Sequence, residues 1–161
     1  MTSKTEAILW SIALPGFAQI LNKKIVKGLV LIFLEFLINV NSHFNLAIRA
    51  SFLGEIDQAI QVTNFQWLMF YPCVYMFAMW DAFKDAEGES SPYSFLPFVF
   101  GAYFVTVGLM YSTIFKINGV LLGPIWLPII SLIPGLCLGY LIWALINCIK
   151  RRKKNEKRMK N

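Results

Sequence analysis

The chain has 161 residues, of which 57% are hydrophobic and 15% charged, against about 45–50% and about 25% in soluble domains. Its net charge of +6 is not spread evenly: Lys150 to Lys160 holds eight Lys/Arg and one acid, Glu156, so this tail is +7 and the remainder about −1. That balance excludes a basic nucleic-acid-binding domain, and one histidine with three scattered cysteines excludes a multi-histidine metal centre and a disulfide framework.

Ser3-Lys4-Thr5-Glu6 reads as a capping box opening a helix. The apolar segment Ala7–Leu21 that follows is too short to cross a bilayer comfortably, and Pro15-Gly16 should break it. A broken segment of this length is re-entrant or interfacial. A cleaved signal peptide is the competing reading, but it would leave Lys23, Lys24 and Lys27 outside, against the positive-inside rule.

Four further segments carry about the 20 apolar residues that a spanning helix needs: Ile25–Asn45, Asn64–Phe83, Ser94–Phe115 and Pro124–Cys148. The first rises from a basic turn and ends in Asn39, Asn41, Ser42, His43 and Asn45. Between it and the second span, Ser51–Val62 has Phe52, Leu53, Ile56 and Ile60 on one face, the pattern of a helix lying in the interface. The second span is rich in aromatics, and an acidic, turn-prone loop, Glu87–Pro92, follows it. Asn118-Gly119 marks a tight turn before the fourth span, which contains Pro128 and Pro134. The five tryptophans fall mostly near the predicted interfaces, as an aromatic belt does.

Charge orients these elements. With the basic tail inside, Lys84 and the cluster Lys23, Lys24 and Lys27 are inside as well, and only Arg49 and Lys116 of the 15 Lys/Arg fall outside. The expected fold is therefore all-α and polytopic, with four transmembrane helices and a short broken N-terminal helix. Residues 1–149 form one membrane domain and residues 150–161 a polybasic cytoplasmic tail. Both termini are cytoplasmic, and the setting is a bacterial plasma or inner membrane.

The most informative residue is Glu35, an acid inside the apolar run Gly28–Val40. A carboxylate at the bilayer centre costs roughly 2.5–3.5 kcal/mol on insertion scales. Glu35, Asn39 and His43 are spaced i, i+4, i+8, so one helix face carries all three. One reading is a polar path with Glu35 as a proton or cation site. The other is a structural network, with Gln19 of the broken segment as the partner. Ser131, Gly135 and Gly139 form a small-xxx-small ladder that permits close helix approach, within the chain or to another. Cys73, Cys137 and Cys148 read as small apolar packing residues. The tail cations Lys150, Arg151, Arg152, Lys153 and Lys154 would meet lipid headgroups, as a topological anchor or as a site for anionic lipid. Nothing places a nucleophile beside a base, so catalysis is not expected, and neither a cofactor nor a metal site is implied.

The run Leu14-Pro15-Gly16-Phe17-Ala18-Gln19, the turn through Asn22 and the following Lys27-Gly28, together with Trp80-Asp81-Ala82-Phe83, resemble the motif of TM2-like small bacterial membrane proteins. The resemblance covers about residues 8–86, and it departs from the motif with Ala18 where glycine is common and Leu21 where an aromatic is. It implies a multi-pass hairpin fold of largely uncharacterised function and assigns no catalytic residue. The functional expectation is a non-enzymatic component of a membrane complex or homo-oligomer, with a small-ion or proton channel or transporter centred on Glu35 as the alternative.

Overall fold

In a computed structural model of the chain, the backbone of residues 1–159 and the side chains to Arg152 are described. The chain is mostly helical. In order, the elements are α1 (Lys4–Ala13), α2 (Phe17–Leu21), α3 (Ile25–Ser42), α4 (Phe44–Phe52), α5 (Ile56–Val62), α6 (Phe65–Leu68), α7 (Tyr71–Asp85), α8 (Leu96–Tyr111), β1 (Lys116–Ile117), β2 (Val120–Leu121) and α9 (Gly123–Met159).

The capping box at the start of α1 forms as the sequence predicts: Ser3 accepts from the Glu6 amide, and Glu6 accepts from the Ser3 amide. The break at Pro15-Gly16 also forms. Gly16 takes φ 98° and caps α2, so the chain turns back on itself. The two ends of this hairpin then meet, because the Thr2 amide donates to Asn22 Oδ1 at 2.8 Å. The segment is thus an antiparallel pair of short helices, with α1 against α7 and α2 against α3.

Gly28 makes that packing possible. A Cβ there would lie 2.6 Å from Gly16 O and 2.5 Å from Ile20 Cγ1.

Three expected elements differ from the sequence reading. The first span stops at Ser42, because His43 adopts φ 55° and ends α3 as α4 begins. The amphipathic stretch Ser51–Val62 is not one helix: Gly54, at φ 80°, separates α4 from α5. The second span is split between α6 and α7 near Phe70. In addition, Lys116–Leu121 forms a two-stranded antiparallel ribbon, so the fold is not wholly α. Its turn is Asn118-Gly119, both at positive φ, as a type I′ hairpin requires.

The closest helix pair is α8 with α9. Here the small-residue ladder packs inside the chain. A Cβ on Gly135 would lie 2.7 Å from Phe100 O, one on Gly139 2.6 Å from Pro97 Cα, and one on Gly108 2.5 Å from Ser131 Oγ. Pro128 and Pro134 sit inside α9 without ending it. Ser131 Oγ donates to Leu127 O at 2.8 Å, the local bond by which a serine hydroxyl engages its own helix.

Among the described residues, two helices are long and apolar enough to cross a membrane, Ile25–Ser42 and Gly123–Arg152. Leu96–Tyr111 is apolar but shorter. Both long helices are mostly uncovered: 22% of the apolar window of the first and 11% of that of the second is buried. Neither is mostly buried within this chain. Val26, Leu29, Phe33 and Phe36 on α3, and Ile133, Leu141 and Leu145 on α9, are all more than half exposed.

Polar contacts gather at the two ends of the bundle. At one end lie Lys4, which donates to Ser90 Oγ at 2.6 Å, the ion pairs of Lys24 and Lys27, and Lys150 above the Tyr93 ring. At the other, α4 and α5 cap the start of α9, where Trp126 Nε1 donates to Ser51 O at 3.1 Å and the indole packs on Phe52.

Gly135→Val should force α8 and α9 apart, because the added carbons meet backbone rather than a flexible side chain. Overpacking of this kind costs about 1–3 kcal/mol. The expected outcome is a clearly lower melting temperature in detergent; an unchanged one would show that the seam is looser than described.

Candidate functional site

The densest polar cluster lies where the hairpin meets α3 and α7. Gln19, on α2, is fully buried. Its Nε2 donates to Ala78 O at 2.9 Å and to Asp81 Oδ2 at 3.2 Å. The other carboxylate oxygen of Asp81 pairs with Lys27 Nζ at 2.7 Å. One turn further along α7, Asp85 Oδ2 pairs with Lys24 Nζ at 2.5 Å and with Lys27 Nζ at 3.4 Å. Asp81 and Asp85 are spaced i, i+4 on one face of α7, opposite Lys27 in the first turn of α3 and Lys24 at its N-cap.

The electrostatics follow from this geometry. Burial would raise the Asp85 carboxyl, but the Lys24 hydrogen bond and the charges of Lys27 and Lys24 outweigh it. They hold Asp85 below the usual carboxylate range.

The sequence-predicted partner of Gln19 is therefore wrong. Gln19 pairs with Asp81 and Ala78, not with Glu35. Glu35 is half-buried on α3 and faces the phenols of Tyr71 and Tyr75 on α7. Tyr75 Oη in turn donates to Ile12 O near the tip of the hairpin, at 2.6 Å. Among the described residues Glu35 forms no ion pair.

The predicted polar face is also interrupted. His43 is exposed and in the left-handed region, so helical spacing from Glu35 stops short of it. Asn39 Nδ2 instead reaches Asn45 Oδ1 at 3.4 Å, and Asn41 Nδ2 turns back to Leu37 O at 2.7 Å. Tyr71 and Tyr75 also line a cleft of about 240 Å³ whose other walls are carbon: Phe44, Leu109, Ile125 and Pro128 among them. Its lining is almost wholly apolar, and Glu35 is not among the residues that form it.

Cys73, Cys137 and Cys148, read as small apolar packing residues, are exposed on their helices within this chain. Each points outward from its helix, where the sequence alone could not distinguish a packed apolar face from an unpacked one. Among the described residues no group of three or more His, Cys, Asp and Glu could hold a metal ion. Lys150, Arg151 and Arg152 are exposed on the last turns of the described side chains of α9. Lys153 and Lys154 lie outside the described side chains.

No family model matches the chain, and no curated protein or solved structure does so either.

Sequence reasoning overlooked Asp81 and Asp85 as partners of Lys24 and Lys27. The signal was available: two acids four residues apart at the end of the second predicted span, and two lysines three residues apart at the start of the first.

Two outcomes test this cluster. Gln19→Ala leaves a buried carboxylate without one of its donors and should cost about 1–3 kcal/mol, read as a lower melting temperature. The second is pH. Because Asp85 is held low in the folded chain, its contribution is fully present above the ordinary aspartate value of about 3.9 and is lost as pH falls from there through the lower folded value. Asp85→Asn should therefore flatten the acid limb of a melting-temperature profile. An acid limb unchanged by the substitution would show that the Lys24 pair contributes nothing to it.

Proposed function

We propose that this chain is a multi-pass membrane protein that acts by helix packing, as a non-enzymatic component of a membrane complex or of a homo-oligomer. The observation that carries the reading is the pairing of two long, apolar, largely uncovered helices with cations gathered at one end of the bundle. In water, apolar faces of this size are a liability; in a bilayer they are the ordinary outer surface. α3 is about 27 Å long at 1.5 Å per residue, close to the roughly 30 Å hydrocarbon core. In this reading α7 and α8 complete a four-span bundle, and the hairpin enters from the cationic end and returns to it. That end is cytoplasmic in a bacterial plasma membrane, and both termini lie there. The resemblance to TM2-like proteins belongs to the same proposal. It is supported by the way its motif residues converge, since Gly16, Gln19, Gly28 and Asp81 all serve one clamp.

Topology tests it. With Cys73, Cys137 and Cys148 replaced, single cysteines at Asp57 and Ser90 should be labelled from the outside and the inside of cells respectively. Labelling at Ser90 by an impermeant reagent added outside would overturn the arrangement.

A second reading keeps Glu35 as an ion or proton site, favoured by its lack of an ion pair among the described residues. The mostly apolar lining of the cleft at Tyr71 and Tyr75, which offers no further acid or cation, supports the first reading. Substitution separates the two. Under the second, Glu35→Gln leaves the melting temperature nearly unchanged and abolishes ion- or proton-dependent flux in vesicles. If Glu35→Leu raises the melting temperature and alters neither flux nor partner binding, the acid is incidental, since leucine removes only its burial penalty.

A further inference from the structure

A second groove runs along the outside of the bundle between α7 and α8, with a volume of about 580 Å³. Phe77, Trp80, Phe95, Val99, Tyr103 and Thr106 are among the residues that line it. From Phe95 to Thr106 its α8 wall climbs about 16 Å at 1.5 Å per residue, which is about half of the roughly 30 Å hydrocarbon core. The groove is thus one leaflet deep.

Its end at Trp80 and Phe95 lies toward the cationic end, beside two lysines. Lys84 Nζ lies 5.2 Å from the centre of the Trp80 ring, which is itself a wall of the groove. Lys150 Nζ lies 4.3 Å from the Tyr93 ring, and Tyr93 packs on Phe95, a wall on the other side. Both ammonium groups are exposed, and neither forms an ion pair among the described residues. Lys24 and Lys27, at the same end, are already neutralised by Asp85 and Asp81.

We propose that this groove binds one anionic phospholipid, with an acyl chain between α7 and α8 and the phosphate between Lys84 and Lys150. The proposal rests on the membrane reading above. Three features select this occupant. The lining is carbon and aromatic over one acyl-chain length. The charge lies only at one end, as in a phospholipid. Its sign is positive, so a zwitterionic headgroup would satisfy it less well than a phosphatidylglycerol-type one. Trp80 and Tyr93 lie at the headgroup level, where aromatic side chains of membrane proteins collect.

The test uses the full chain in a neutral detergent with equimolar phosphatidylglycerol and phosphatidylcholine, read by native mass spectrometry. Two lysines near the surface give a preference on the order of thirtyfold for a single retained phosphatidylglycerol. In K84Q/K150Q this should fall to near parity. The equal charge change R151Q/R152Q, further along the tail, should leave it intact. Ala102→Phe, which fills the groove from α8, should reduce retention of both lipids. If A102F does not fold, the two charge pairs still decide the matter. Equal retention of both lipids by the unsubstituted chain overturns the proposal. So does an equal loss in the two double variants, which would mean diffuse attraction to the tail. Flotation with phosphatidylcholine vesicles separates this failure from that of the membrane reading: a chain that floats but shows no preference loses only the lipid site, and one that does not float loses both.

Discussion

Gly16 and Gly28 approach so closely that a side chain on either would strike the backbone of the other, and the N-terminal half of the molecule depends on that approach. It lets α2 lie flat on α3, which carries Gln19 into the interior beside α7. Once there, the amide must find partners, because an unpaired polar group in such surroundings costs on the order of 1–3 kcal/mol. Ala78 O and Asp81 supply them for its Nε2, while its Oε1 has no hydrogen-bond partner among the described residues. Asp81 is then a buried acid in its turn, and Lys27, one residue before Gly28, supplies its counter-charge. The glycine contact, the amide and the ion pair form one chain of necessity.

The other half is held together differently. α8 and α9 meet along a seam of small residues, where Gly101, Gly108, Gly135 and Gly139 let backbone approach backbone. Lipid tails are as apolar as leucine, so burying leucine between helices in a bilayer gains little; close packing and interhelical hydrogen bonds carry the association instead. The seam suits that setting, and so does the near absence of charge along it. Between the two halves, α7 is the common wall: the clamp is on one side of it and the lipid-sized groove on the other.

Composition and periodicity made the apolar segments, the hairpin break at Pro15-Gly16, the capping box and the Asn118-Gly119 turn legible, because each depends on local chemistry. The helix ends at His43 and Gly54 were not legible. His43 in the left-handed region looks in sequence like one more polar residue on a helical face, and Gly54 lies within an amphipathic pattern that reads through it. The partner of Gln19 could not be read either. Gln19 and Asp81 are 62 residues apart, and only the folded packing of α2 on α7 decides between Asp81 and Glu35. The cysteines illustrate the same limit: their apolar surroundings in sequence are real, but which face of a helix is covered is a tertiary fact.

The comparison of Glu35 with Asp81 shows where function would have to reside. Both are acids on apolar helices, and both are expensive in a bilayer unless compensated. Asp81 has a lysine and a buried amide, so removing either partner exposes a cost but alters no vacant chemistry. Glu35 has two phenols beside it and no cation among the described residues. Phenols can donate hydrogen bonds to a carboxylate, yet they bring no charge. Its compensation is thus partial where that of Asp81 is complete. A proton, a cation or a donor from a neighbouring helix would each complete it. The phenols lie on α7, so whatever completes it must reach the side of α3 that faces α7. Under the proposed membrane reading, Glu35 is the acid on the first long helix whose cost the described residues leave least compensated.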